Sequence, residues 1–187
     1  MEGFLQAFNR LSPHTDAARH DLLGCLRSRS FEKGDCLLRS GAICRNLYFL
    51  DSGLVKTCFT TSDKEFIMRF FPENNLFTVL DSFTTQAPTF YEIVALEPTT
   101  VTCIEQAELE VLCRKHHCTE TAFRKLLAFA TVNMMKRISE MLEENATERY
   151  KHFLKDQGAL LQRISLGDLA NYLGITQVSL SRIRSKK

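Results

Sequence analysis

Residues 176–186 bring Thr176, Gln177, Val178, Ser179, Ser181, Arg182, Arg184 and Lys186 within eleven positions of one another. Each is a type that recognises nucleic acid at contact range. A glutamine amide pairs with adenine, an arginine guanidinium with guanine, a valine methyl with the methyl of thymine, and a hydroxyl or a lysine with a base edge or a phosphate. That chemistry needs a short helix that presents these side chains on one face and docks firmly on the other.

The flanking residues supply such a frame. Ser165 and Asp168 have the spacing of a capping box, and Leu166, Leu169, Ala170 and Leu173 follow at helical period. Gly174 ends this helix, because glycine enters the left-handed region at little cost. Ile175 fills the turn and Thr176 caps a second helix whose inner face is Leu180 and Ile183. Ala170, Gly174, Leu180 and Ile183 stand four, six and three residues apart. This places a small residue at a helix crossing, a glycine at the turn and two branched residues at the docking face, the helix-turn-helix pattern. A plain corner of a helical bundle is the alternative, and it has no need of this outward polar face.

Charge agrees with the DNA-facing reading. The chain of 187 residues carries a formal net charge of +2. From residue 163 onward Arg163, Arg182, Arg184, Lys186 and Lys187 stand against Asp168 alone, so the preceding part is slightly acidic. A positive excess gathered at one end suits a phosphate-contacting tip.

The rest of the chain narrows the class. Hydrophobic content of 44% is that of an ordinary folded protein. No run is apolar enough to span a bilayer, and the N-terminus lacks a signal-peptide layout, which places the protein in the cytoplasm. Cysteines at 25, 36, 44, 58, 103, 113 and 118 are odd in number and scattered, as reduced thiols are. Cys113 and His117 would share a face on a continuous helix, but no second cluster completes a metal site. No nucleophile elbow, phosphate loop or zinc-protease motif occurs, and no histidine falls in an expected strand. The chain reads as a non-enzyme without a cofactor or metal.

The elements that must carry the tip follow in order. Residues 3–27 read as helix, interrupted at Ser12 and Pro13, with Pro13 in the first turn of a new helix. From Ser28 short strands alternate with turns: a glycine turn at 31–35 and strands at 36–41, 46–53, 54–61, 65–71, 91–96 and 100–104, the spacing of an antiparallel sandwich or barrel. A helix over 106–117 turns Leu109, Val111 and Leu112 inward. The longest helix spans 119–145, capped by Thr119. On it Leu127, Met134 and Met141 recur every seven residues, with Phe123, Ala130 and Ile138 between them, a seam suited to a second helix. Packing on the chain's own strands is the other use of that face. Residues 143–147 read as a hinge, and 149–161 as a helix with Tyr150, Phe153 and Leu154 inward.

Helices, a glycine-cornered roll of about eight strands, a long helix and a terminal helix-turn-helix together resemble the Crp/Fnr family of bacterial transcription regulators over essentially the whole chain. The match is carried by F-E-K-G-D at 31–35, L-Y-F-L-D-S-G at 47–53, and Leu169, Ala170, Gly174, Ser181, Arg182 and Ile183. The expected fold class is α+β: an antiparallel, jelly-roll-like effector domain with flanking helices (1–118), a central dimerisation helix (119–145) and a DNA-binding helix-turn-helix domain (146–187). The resemblance implies a homodimer on double-stranded DNA, with two recognition helices about 34 Å apart on a near-palindromic site. RNA polymerase is a further candidate partner, and a small-molecule effector stays open.

It also implies that Gln177, Val178 and Arg182 face the bases. Cyclic AMP-responsive members carry Arg and Glu at the first two positions, and Val178 cannot accept a hydrogen bond from cytosine. Members that bind cyclic nucleotide have a phosphate cassette of Gly-Glu and Arg-Ser. Those positions fall here on Thr78, Val79, Thr89 and Phe90, so the pocket is degenerate and lacks the phosphate's counterion. The cysteine spacing does not match the iron–sulfur members. Many members extend past the recognition helix into a β-hairpin, and here Arg184, Lys186 and Lys187 are expected to take up its phosphate contacts. A sensing module whose helix-turn-helix only packs is the competing reading, and a cupin-like enzyme is disfavoured.

Overall fold

The computed structural model describes residues 1–62 and 64–185. Asp63, expected in a hairpin turn, and Lys186 and Lys187, expected at phosphates, lie outside the described residues.

The chain opens with α1 (Glu2–Leu11) and α2 (Asp16–Cys25). Phe4, Leu5 and Phe8 bury the inner face of α1, as its period predicts. Pro13 is not in a first helical turn. Thr15 caps α2 instead, accepting a hydrogen bond from the Ala18 amide at 3.2 Å, because a side-chain oxygen can satisfy an orphan amide and proline cannot.

Eight strands follow: β1 (Arg27–Phe31), β2 (Cys36–Leu38), β3 (Asn46–Ser52), β4 (Val55–Thr60), β5 (Glu65–Phe71), β6 (Leu76–Phe77), β7 (Glu92–Ala95) and β8 (Thr99–Glu105). They form two four-stranded antiparallel sheets, ordered β1-β8-β3-β6 and β2-β7-β4-β5. The jelly-roll-like expectation is met. Arg27–Phe31 was expected as the end of a helix and a turn, but pairs along its whole length with β8. A one-and-a-half-turn helix, α3 (Leu80–Thr85), lies between β6 and β7; six residues are too few to show a helical period.

The principal core fills the space between the sheets with Leu47, Phe49, Val55, Ile93, Val101 and Ile104, sealed by α1 and by α4 (Gln106–Lys115). In α4 Leu109 and Leu112 are buried, but Val111 is 60% exposed, contrary to the inward placement. His116 is extended and separates α4 from α5 (His117–Glu143), so Cys113 and His117 lie on different helices and do not share a face. His116 stands at the N-cap position of α5 without a side-chain capping bond, and Thr119, the expected cap, lies inside the helix and is fully buried. Met134 and Ile138 of the seam are 51% and 50% exposed.

Asn145 and Glu148 form a capping box that opens α6 (Ala146–Gln157), which starts and ends earlier than its period suggested. A 3-10 turn (Gly158–Gln162) leads to α7 (Leu166–Leu173) and α8 (Gln177–Ser185). These helices share a second apolar cluster with β4 and β5: Leu54, Cys58, Ile67 and Phe70 pack with Tyr150, Phe153, Leu169, Tyr172 and Leu180. No helix among the described residues is long and apolar enough to cross a membrane.

Candidate nucleic-acid interface and effector region

The two terminal helices, α7 and α8, and the turn between them form by the local devices the sequence announces. Ser165 Oγ accepts from the Asp168 amide at 2.9 Å while the Asp168 carboxylate reaches back to Ser165. Gly174 closes α7 at φ 71°, a conformation that excludes most side chains. Thr176 Oγ1 accepts from the Ser179 amide at 3.1 Å and starts α8. Leu180 docks inward with no exposed surface.

Docking that face turns the other outward. Thr176, Gln177, Val178, Ser181, Arg182 and Arg184 are all exposed, Val178 by 62%, and Ser179 is half-buried by its cap bond. The structure thus brings seven of the eight expected contact residues onto one short helix and its cap. The exception is Lys186, outside the described residues. Arg163, counted with the DNA-facing charges, points elsewhere. Its guanidinium binds Glu73 at 2.7 Å, Glu97 at 2.5 Å and the carbonyl of Gly53 at 2.9 Å. It is a clamp between the roll and the head of α7, because two carboxylates and a turn carbonyl hold it more strongly than solvent does.

What the sequence did not reveal is how the tip is aimed. Lys56 of β4 is buried and bridges Glu65 of β5 at 2.7 Å and Asp168 of α7 at 2.8 Å. Asn171 adds a bond to Glu65 at 3.1 Å. Burial pushes the Asp168 carboxyl up, and the hydrogen bonds from Lys56 and Ser165 outweigh it, so its pKa falls below the ordinary value. Burial likewise disfavours the Lys56 charge, and the two carboxylates more than restore it. On the opposite flank Arg137 of α5 stacks 4.0 Å over the Tyr172 ring and donates to the Tyr172 carbonyl, while Arg149 of α6 donates to the Leu173 carbonyl. Both cations sit where α7 leaves its last carbonyls unpaired, the favourable end of the helix dipole. Tyr172 also lies 5.4 Å from both Phe70 and Phe153, so β5, α5, α6 and α7 meet on one ring. The only sequence signal for Lys56 was a single charge inside an otherwise uncharged strand.

The region around the four cassette-like positions presents a different chemistry from a phosphate cradle. Thr78 donates to the Asn46 carbonyl at 2.9 Å, and Val79 is buried at the start of α3. Thr89 is buried, accepts from the Tyr91 amide at 3.2 Å and donates to the Asp81 carboxylate at 3.5 Å. A carboxylate therefore stands beside the position that matches the cassette arginine. Phe90 is 57% exposed and joins an aromatic group in which Phe59 stacks on Phe66 at 5.1 Å and meets Phe90 and Tyr91 edge-on. A separate cleft of about 450 Å³ opens between β5, α5 and α6, and its Arg137, Arg149 and Arg163 are already engaged within the chain. Among the described residues no group of three metal-ligating side chains comes together.

Comparison with known proteins places this geometry. Residues 28–116 match the cyclic nucleotide-binding domain family. Solved structures align over nearly the full chain. FixK2 from Bradyrhizobium japonicum superposes with a TM-score of 0.74 at 17% identity, covering 86% of this chain and 83% of that one. The c-di-GMP responsive global regulator CLP from Xanthomonas campestris gives 0.70 at 17% identity, covering 92% and 91%. A Crp/Fnr-family transcriptional regulator from Eubacterium rectale gives 0.74 at 15% identity, covering 92% and 83%. This is the Crp/Fnr fold. At such identities the likeness is one of architecture: antiparallel sheets, flanking helices and a long helix in the same order. No curated protein sequence matches the chain.

Proposed function

We propose that the chain is a sequence-specific DNA-binding transcription regulator that acts as a homodimer and is not controlled by cyclic AMP in the familiar way. One observation carries the reading: α8 buries Leu180 and leaves Gln177, Val178, Ser181, Arg182 and Arg184 open to solvent. A helix kept only for packing has no cause to gather base-reading side chains on its free face. The division of labour follows the elements. Residues 1–118 form the effector domain, the central segment 119–145, most of it in α5 (His117–Glu143), pairs two copies through Leu127, Met134, Ile138 and Met141, and residues 146–187 read DNA.

Cyclic AMP is disfavoured by charge. The four positions Thr78, Val79, Thr89 and Phe90 offer no cation, and Asp81 beside Thr89 would repel a phosphate. An effector that suits this region is neutral or aromatic rather than anionic.

Selection from random duplexes, followed by a gel shift with salt titration, tests the reading. Enrichment of a near-palindromic site, with affinity falling steeply as salt rises, is expected. A second reading, a sensing module whose helix-turn-helix only packs, draws support from the docking of α7 on β5. Absence of duplex binding even at low salt would favour it.

A further inference from the structure

Gly167 is the residue of the helix-turn-helix that the recognition reading leaves unexplained. It lies in the first turn of α7, where glycine weakens a helix and alanine strengthens it. Its backbone is not in the left-handed region, so no turn requires it. Space requires it. A methyl built on Gly167 would stand 2.9 Å from Nε2 of Gln177 and 3.8 Å from its Cδ. The amide of Gln177 therefore rests over the first turn of α7, in the gap the missing side chain leaves. The root of Gln177 is held as well, since it follows Thr176, whose hydroxyl fixes the start of α8.

We propose that Gly167 is the positioning residue that sets base specificity at Gln177. The proposal rests on α8 being the DNA-reading helix and deepens that reading. A glutamine amide recognises adenine only when its oxygen and nitrogen meet N6 and N7 together, in one plane. Its three rotatable bonds otherwise scatter the amide over many orientations, each of which has to be frozen out on binding. The seat over Gly167 selects among them before DNA arrives. The atoms nearest such a methyl belong to Gln177 and Ser165 and none to Val178 or Arg182, so the readout of those two is taken as independent of it.

The contact involves the far end of a flexible side chain, so Gly167→Ala displaces the amide and leaves the fold intact. The test is parallel selection on random duplexes with the wild type, G167A, Q177A and the double variant, with thermal melting of each. Wild type is expected to prefer adenine at one base pair per half-site. G167A is expected to lose about tenfold of that preference, the scale of one bidentate base contact. Its preferences elsewhere, its salt dependence and its melting temperature are expected to hold or rise. The double variant should match Q177A, because the glycine acts only through the amide. G167A with the wild-type preference at every position, or with a uniform loss at all positions, overturns the proposal. A wild type that enriches no sequence overturns the recognition reading itself, and a different pattern distinguishes that failure.

Discussion

Lys56 Nζ lies 2.8 Å from the Asp168 carboxylate, and the same carboxylate closes the capping box of α7. One side chain thus starts the first helix of the C-terminal head and fastens that helix to the roll. Removing the cation leaves Asp168 and Glu65 facing each other with little solvent to screen them. Lys56→Met is expected to cost about 3 kcal/mol, the scale of a broken buried pair, and K56M combined with Asp168→Asn to cost less than the sum. Urea melts of the four proteins check this.

Acid should loosen the head. The Asp168 and Glu73 pKa values are both held below the ordinary values of 3.8 and 4.5, for Glu73 chiefly by its hydrogen bonds from Arg163. A depressed carboxyl stabilises the fold above its unfolded pKa and loses that contribution as pH falls through the folded one. Melting temperature is therefore expected to be flat from neutral pH down to about 5 and to drop below about 4. D168N should show a shallower drop. A melting temperature that stays level to pH 3 would remove these carboxylates from the stability of the fold.

The turn beneath Arg163 tolerates no side chain. Gly53 has φ 99°, and a methyl there would lie 2.5 Å from Thr99 Oγ1 and 2.7 Å from the Pro98 carbonyl. Gly53→Ala is expected to cost at least about 2 kcal/mol. Arg163→Lys, which keeps the charge but not the planar fork, should cost about 1 kcal/mol. Denaturant melts measure both.

The half-exposed seam of α5 predicts a concentration-dependent pair. Ile138→Glu places a charge in the middle of the stripe formed by Met134, Ile138 and Met141. Light scattering should report a dimer for the wild type and a monomer for this variant, with DNA affinity lowered at least about tenfold as the second half-site is lost. A dimeric I138E would move the pairing surface elsewhere.

Val178 gives the sharpest test of base preference. Val178→Glu supplies an acceptor for the cytosine amino group and should shift the selected base pair toward C·G by about tenfold. Arg184→Ala should instead weaken all sequences alike and reduce the salt slope by about one.

How much of this was legible depends on distance along the chain. The capping box at Ser165 and Asp168, the Gly174 turn and the outward residues of α8 are local, and the sequence displays them directly. The roll was legible because turns punctuate its strands. The short α3 and the two-residue β6 are below the length at which a period exists. The long-range contacts left no local mark. Nothing near Lys56 announces that its partner is Asp168, more than a hundred residues on. Arg163 was counted with the DNA-facing charges because it falls within the basic last stretch of the chain, whereas its neighbours in space are Glu73 and Glu97.

Met134 and Arg137 stand within one turn of the same helix, the first open to solvent and the second gripping the Tyr172 carbonyl at the end of α7. In the proposed regulator, mating and aiming thus hang on a single axle. In the proposed dimer, rolling that axle by a few degrees would swing the DNA-facing helix and regroove the joint between copies in one stroke, so neither could be retuned without the other.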